Sequence, residues 1–375
     1  MDLVCFSHLN WNFVYQRPQH LLSRFTSQYR VIYIQEFSYS EMQDGYTISK
    51  GTENVWIVEP HLNNHHERII ERQRAVVNSI FREQQIYKYI FWYYTPMSLL
   101  FSDHLHPAVT IYDCMDELSA FKFANPQLKN AEKALFEKAD IVFTGGATLY
   151  EAKKHRHPNV HAFDSSIDNE HFKIARYHLE EYADQIHIPH PRLGFYGVID
   201  ERFDTALIAQ AAALKPEWQF ILIGPVVKID ESTLPRTSNI HYLGSKTYKE
   251  LPGYLSGWDI ALIPFSINES TRYISPTKTP EYLAGGKPVI STPITDVVNP
   301  YGKKGLVHIA ANAAELVEKA TTELNTKERK NWLAMVDEHL ATNSWDITWF
   351  RMHEMIKKEL YDKQHLRTEK KQTYV

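Results

Sequence analysis

Nothing constrains this chain more than an alternation that runs through it twice. Short apolar runs, rich in Val, Ile, Leu and aromatic residues, alternate with amphipathic stretches of helical length. Parallel strands need a crossover between them, usually a helix, so the pattern is the signature of βαβ units. The first series reads as strands at Leu3–Ser7, Arg30–Gln35, Tyr89–Tyr93, Val109–Tyr112, Ile141–Thr144 and Val160–Phe163. Two shorter strands fall near Tyr46–Ser49 and Asn54–Val58, and helices near Pro18–Gln28, His65–Glu83, Gln127–Lys138 and Ala147–His155. The second series has strands at Arg192–Val198, Gln219–Gly224, His241–Leu243, Ile260–Pro264, Pro288–Ser291 and Leu306–Ile309. Its helices lie near Thr205–Leu214, Tyr248–Ser256, Thr277–Ala284 and Ala313–Leu324, and two long helices close the chain at Lys327–Leu340 and Trp345–Tyr361.

Between the series lies a polar stretch rich in His, Tyr and acids, which reads as a helix-bearing linker. The expected division is a first domain over 1–168, a linker over 169–191 and a second domain over 192–343. A helix over 344–363 then returns to the first domain, and a frayed tail follows over 364–375. A chain of 375 residues suits two cores at ~150 residues each. The expected fold class is α/β, two Rossmann-like doubly wound parallel sheets facing a cleft.

Composition narrows the function classes. A formal charge of −4 gives no nucleic-acid footprint. The two cysteines, Cys5 and Cys114, sit in or beside apolar runs, so buried thiols in a reducing cytoplasm are expected rather than a disulfide. No CxxC or HExxH spacing occurs, and no metal site is expected. The first residues lack a basic n-region, and no apolar stretch approaches ~20 residues. The expected location is the cytoplasm, with peripheral association at the inner face of the membrane left open.

Glycine separates the halves. Gly45, Gly51, Gly145 and Gly146 precede the linker, and the other ten of the fourteen follow it. Glycine is needed where a backbone turns sharply or lies close to a ligand. No G-x-G-x-x-G follows the first strand, which argues against a dinucleotide site there. The second half is the better candidate for a phosphate-bearing ligand.

The segment Ser275-Pro-Thr-Lys-Thr-Pro-Glu-Tyr-Leu-Ala-Gly-Gly-Lys-Pro carries the chemistry. Pro276 suits a first helical position, with Ser275 as its cap and Thr277 beside it. A helix start offers unpaired N–H groups to a diphosphate, and Lys278 adds a full charge. Glu281, three residues on, shares a face with Lys278 and offers a carboxylate to ribose hydroxyls.

This segment resembles the nucleotide-sugar loop of GT-B glycosyltransferases of bacterial envelope and exopolysaccharide synthesis, those with a group 1-like donor domain. In that pattern a carboxylate on this helix, followed by A-x-G-K-P-V-[IV]-[SA], binds the donor ribose. Glu281 matches it. Many retaining members carry another Glu eight positions earlier, where this chain has Tyr273. Glu269 and Arg272 stand nearby in the loop at a different spacing. The resemblance implies two GT-B domains, a nucleotide-sugar donor with uridine as the first expectation, and no metal cofactor. Its match is to the second half. The first half matches in architecture and in its opening, FSHLNWNFVYQRPQHLL.

Further donor contacts are expected from loops after the strands. Gly197 would admit a phosphate and Arg202 fork onto it. Lys228, after Gly224, would reach the diphosphate, and Gly244 would lie by the base, the last by analogy alone. In the first half, Trp11, Phe13 and Tyr15 are expected to stack on an acceptor, with Gln16 and Arg17 at a helix start and His8 facing the cleft. Asp116 is the first candidate for a general base and Asp113 the second, both after a strand of buried type.

The reading is transfer of a sugar from a nucleoside-diphosphate sugar to a polysaccharide or lipid-linked glycan. Two rivals stand beside it. One is a nucleotide-sugar 2-epimerase or hydrolase on the same fold, which would not need the aromatic first loop. The other is a non-catalytic two-lobed sugar-binding protein, a class that is usually exported.

Overall fold

The computed structural model describes residues 1–51, 53–65, 67–177 and 180–373, with side chains described as far as 366. It divides into two compact units. The first comprises Met1–Phe163 with Asp346–Val375, and the second Asp164–Trp345.

In the first unit the strands are β1 (Asp2–Phe6), β2 (Arg30–Ile34), β3 (Ser38–Ser40), β4 (Gly45–Lys50), β5 (Trp56–Asn63), β6 (Tyr89–Tyr93), β7 (Thr110–Cys114), β8 (Ile141–Thr144) and β9 (Val160–Ala162). Among the described residues they form one sheet, ordered β3-β5-β2-β1-β6-β7-β8-β9, with β4 added antiparallel to β5. The other pairings are parallel. Strands β1, β6, β7 and β8 are buried at every position. That is why apolar residues dominate them, with Asp2 and Asp113 the charged exceptions. Each fully buried Leu, Ile or Phe stabilises by ~1.5–3 kcal/mol, far more than any single cap or surface pair.

The reading stopped the second short strand at Val58, but β5 runs on to Asn63 through Pro60. The proline stands where the parallel neighbour changes from β2, which ends opposite Val58, to β3, which begins opposite His61. A residue without an N–H is tolerated at such a break. Strand β3 was not anticipated; its three residues carry no apolar run.

The second unit has β10 (Arg192–Tyr196), β11 (Gln219–Ile223), β12 (Ile240–Tyr242), β13 (Ile260–Ile263), β14 (Val289–Ser291) and β15 (His308–Ile309). Among the described residues its sheet is ordered β12-β11-β10-β13-β14-β15, parallel throughout. The order reverses direction at β10, the kind of switch point where doubly wound sheets open a crevice at the carboxyl ends of their strands. Helix starts are set by side chains: Asp204 accepts the Leu207 N–H at 2.8 Å and Asn312 the Glu315 N–H at 3.0 Å.

The expected linker is built into the second unit. Ile167, Phe172, Ala175 and Ile188 belong to its core, and Gln185, fully buried, accepts from the Trp258 indole at 2.9 Å. The stretch reads as polar because its exposed residues outnumber these anchors, which sit at intervals typical of a short helix and turns. Residues 178–179 of this stretch lie outside the described residues.

The terminal helix begins at Trp345 and continues to Thr373, beyond Lys363 where the reading ended it. The last two residues of the expected tail lie outside the described residues. From Asp346 on the helix belongs to the first unit. There Trp349 meets Phe25 edge-on at 6.1 Å, Arg24 bonds Asp346 at 2.6 Å, and Lys363 bonds Asp140 at 2.6 Å. Phe350 on the same helix is exposed. Among the described residues, no helix is long and apolar enough to cross a membrane.

Candidate functional site

The carboxyl edge of the second sheet is a ledge made of backbone. Gly197 follows β10 with φ +143°, and Gly224 follows β11 with φ +140°. A Cβ on Gly224 would lie 1.9 Å from the Gly197 carbonyl oxygen, and one on Gly197 would lie 2.2 Å from Lys278 Cε. Only glycine fits either place. The Gly224 N–H donates to the Gly244 carbonyl at 2.9 Å, which joins a third loop to the ledge.

The loop after β10 is tied on both sides. The Ile199 N–H donates to Pro225 O at 2.9 Å, and the Val227 N–H to Ile199 O at 3.1 Å. On the other side the Asp204 N–H donates to Pro264 O and the Ser266 N–H to Arg202 O, both at 2.8 Å. Three loops from three neighbouring strands thus hold one geometry.

The helix Lys278–Ala284 lies against this ledge. It does not begin as expected. Thr277 precedes its first residue without a side-chain cap bond, and Ser275 instead offers its carbonyl to the Ser165 hydroxyl. Gly286, with φ +72°, ends the helix, and the Arg176 guanidinium bonds the freed Ala284 carbonyl at 2.7 Å.

Lys278 and Glu281 are the two charges this helix brings to the ledge. Lys278 Nζ lies 5.6 Å from the Phe195 ring centre and 5.7 Å from that of Phe265. Burial lowers its ammonium to about 8; Glu281 opposes that shift and Arg202 adds to it. Glu281 is 7% exposed and accepts from the Tyr196 hydroxyl at 2.8 Å. Burial raises its carboxyl to about 7, against the pull of Lys278 and of that hydrogen bond. Two ionisable groups one helical turn apart are therefore both poised near neutrality. Perturbed groups of this kind cluster at functional sites.

Two residues beside them were not anticipated, Tyr196 and Tyr282. Strand β10 pairs with β13 only as far as Gly194, and the Tyr196 N–H beyond it donates to the Tyr282 hydroxyl at 3.0 Å. Both tyrosines look like core aromatics in the sequence, and only the parting of the strands reveals their polar ends.

Other expected donor residues take different places. Arg202 forks onto Asp200, with Nε 2.9 Å and 3.1 Å from its two oxygens and Nη2 at 2.7 Å. The fork expected for a phosphate is thus turned onto the protein's own carboxylate. Lys228 and Gly244 are exposed. Glu269 and Arg272 face solvent 3.9 Å apart on a loop organised by Asn268, whose side-chain oxygen accepts from Ser270 and Thr271. Solvent leaves such a pair ~0–1 kcal/mol at most.

In the first unit the expected acceptor and base residues largely bind one another. Arg17 and Asp113 are 5% and 0% exposed. The Arg17 Nε lies 3.1 Å and 3.0 Å from the two Asp113 oxygens, Nη2 lies at 2.9 Å, and Nη1 donates to Phe163 O at 2.9 Å. The guanidinium holds both Asp113 oxygens, so each group has the other as its partner. Asp113, expected as a base, and Arg17, expected as an acceptor contact, bond each other in the structure.

Trp11 is no stacking platform either. It is 4% exposed, edge-on to Tyr33 at 4.9 Å, and its backbone is held by Gln35 at 2.7 Å and Gln19 at 2.6 Å. Tyr15 is half-buried and edge-on to His20 at 4.7 Å, while Gln16 donates its N–H to Gln19 at 3.0 Å. Phe13 is exposed. His8 and Asp116 are half-buried on the loops after β1 and β7. Glu117, beside Asp116, bonds Lys153 at 2.5 Å, which in turn bonds Glu132 at 2.8 Å. Both cysteines are buried free thiols, and burial raises each.

Residues 190–325, which include the whole ledge and its helix, match the family model described as glycosyl transferases group 1. Residues 190–325 form a group 1 glycosyltransferase domain. The chain is also 28% identical over 221 residues to a putative teichuronic acid biosynthesis glycosyltransferase, TuaH, of Bacillus subtilis. That match spans 54% of this chain and 54% of the relative, about half the length of each. Among solved structures, sucrose-phosphate synthase of Thermosynechococcus elongatus superposes with a TM-score of 0.69 at 14% identity, over 95% of this chain and 98% of that one. HepE of Anabaena in complex with UDP superposes with a TM-score of 0.66 at 12% identity, over 96% and 100%. At such identities the likeness establishes the fold, which is GT-B: two Rossmann-like α/β units with a helical C-terminus.

Proposed function

We propose that the protein transfers a sugar from a nucleoside-diphosphate sugar, with uridine the first candidate base, to a polysaccharide or lipid-linked glycan of the envelope. The observation that carries this reading is the meeting of Gly197, Lys278 and Glu281 at the carboxyl edge of a group 1 domain. A glycine whose lack of a side chain lets a lysine tip lie against the strand end suits a diphosphate. A buried carboxylate one turn on suits the ribose hydroxyls. UDP is present in the HepE structure that this fold resembles, and the curated relative is described as a teichuronic acid glycosyltransferase, which supports the donor and acceptor classes.

In this reading Lys278 neutralises the leaving diphosphate, and the exposed Lys228 assists, without a metal cofactor. Asp116, half-buried on the loop after β7, is the acceptor base. Phe13, Tyr15 and His8 contribute to the acceptor side, which is peripheral to a membrane when the acceptor is lipid-linked.

A thermal-shift series with UDP, GDP, ADP and dTDP tests the donor class. A ligand of the folded state raises stability in proportion to the logarithm of its concentration over Kd. UDP is expected to give the largest shift, and no shift with any of the four rejects the reading. With UDP-sugar bound normally, Asp116→Asn is expected to lower turnover ~10²-fold or more. Near-normal turnover removes Asp116 as the base.

A further inference from the structure

Tyr196, the last residue of β10, is 4% exposed. Its ring is held by Tyr282 at 4.7 Å, Trp258 at 5.8 Å and Phe172 at 6.3 Å. A phenylalanine would fill the same space without bringing a hydroxyl into the interior, where an unpaired one is costly. The hydroxyl is paired, at 2.8 Å, with Oε2 of Glu281. The backbone of the same residue is tied to the same helix through the Tyr282 hydroxyl at 3.0 Å. Strand end and helix are therefore joined twice, and one of the two joints ends on the carboxylate itself.

A carboxylate accepts about four hydrogen bonds through two oxygens. Tyr196 occupies Oε2. We propose that Tyr196 is a positioning residue for the donor nucleotide: its hydroxyl fixes the Glu281 rotamer with Oε1 left to the ligand, and holds the carboxyl in its ionised, accepting form. This rests on Glu281 as the ribose acceptor.

The charges around the pair come from several elements. Lys278 shares the helix, Asp200 and Arg202 lie on the loop after β10 and act on Lys278, and the Tyr282 and Tyr248 phenols lie near Tyr196. Burial pushes the Glu281 carboxyl up, and Lys278 and the Tyr196 hydroxyl pull it down. Deleting the hydroxyl removes one of the two groups that keep it ionised.

The test is calorimetric binding of UDP-glucose from pH 6 to 9. This probe is chosen because its diphosphate does not titrate there. The parent is expected to lose affinity on the acid side as Glu281 takes up a proton. In Tyr196→Phe that acid limb moves upward by about one pH unit. Affinity then falls roughly fivefold at pH 7 and less than about twofold at pH 8.5, by the ionised fractions alone. A purely structural role would weaken binding by one factor at every pH, and that result overturns the inference, as does an unmoved limb. Should Y196F fail to fold, 3-fluorotyrosine placed at position 196 is a stronger donor of nearly the same shape. It is expected to move the limb downward, and an unmoved limb overturns the inference again. Glu281→Gln separates the two levels. If E281Q binds UDP-glucose as the parent does, the ribose assignment fails and takes this inference with it. If E281Q binds weakly and abolishes the acid limb while Y196F leaves it in place, only the role of Tyr196 fails.

Discussion

The carboxyl edges of the two sheets carry charge in opposite ways. At the first, Arg17 and Asp113 bond each other, and Arg17 also bonds Phe163 O. At the second, Lys278 is offered aromatic faces, and Glu281 a phenol that donates to one of its oxygens. In the first arrangement each buried charge has an opposite charge as its partner. The second leaves a buried carboxylate and a nearby ammonium each displaced toward neutrality by desolvation. Buried charge that is fully paired reads as structure, and buried charge held in reserve reads as a site.

The contrast is most open to attack at the paired edge. Removing one partner of a buried ion pair strands the other, at a cost of ~3–5 kcal/mol. Arg17→Met is therefore expected to lower unfolding stability by about that amount in chemical denaturation. Arg17→Met combined with Asp113→Leu is expected to recover most of it. A stable Arg17→Met protein with weakened acceptor use would return Arg17 to the binding residues.

Next in size is the reserve itself. Glu281→Gln is expected to weaken UDP-sugar binding tenfold or more, since a charged hydrogen bond contributes ~1.5–3 kcal/mol. Its stability should move the other way. The folded-state carboxyl is raised to about 7, so its contribution is full at acid pH and is lost as pH rises through 7. Lys278 is lowered to about 8, so its contribution is recovered only as the pH rises from there toward the ordinary lysine range. Removing the carboxylate should thus raise the melting temperature above pH 7, and a lower one would mean that Glu281 is held for structure. For binding, the ionised Glu281 and the protonated Lys278 coexist best between about 7 and 8, where donor affinity should peak. A flat profile from pH 6 to 9 would contradict the pairing of roles.

The smallest effect is expected from Arg202. With its fork on Asp200, Arg202→Ala should reduce donor affinity by less than about 1 kcal/mol, measured by titration with UDP. A larger loss would move Arg202 from the paired class to the reserve.

Much of this was legible in the chain. Strands such as Tyr89–Tyr93 and Ile141–Thr144, and the helix Thr205–Leu214, lie where the alternation puts them, because apolar runs buried on both faces leave a pattern that needs no tertiary information. The segment Lys278–Glu281 with its closing glycines was legible because spacing on one helix is a local property. What sequence could not reveal is pairing at a distance. Arg17 and Asp113 are 96 positions apart, and Tyr196 and Glu281 are 85 apart. An arginine at a helix start and an aspartate at a strand end look alike whether they meet a ligand or each other. The stretch 169–191 shows the same limit: Phe172 and Gln185 are anchors only once Trp258 and the core around it are in place.

The terminal helix has a consequence for how the molecule is made. Its residues from Asp346 onward belong to the unit that begins at Met1, with the whole of 164–345 inserted between. At about 5–20 residues per second, synthesis of that insert occupies roughly 10–40 s. During this time the first sheet waits on the ribosome without Trp349 and His353, which meet Phe25 and Tyr29, and at its end the second unit has its entire sequence. The second unit is therefore the first to have its whole sequence, and a nascent chain stalled at Trp349 has that unit complete while the first still lacks its last helix.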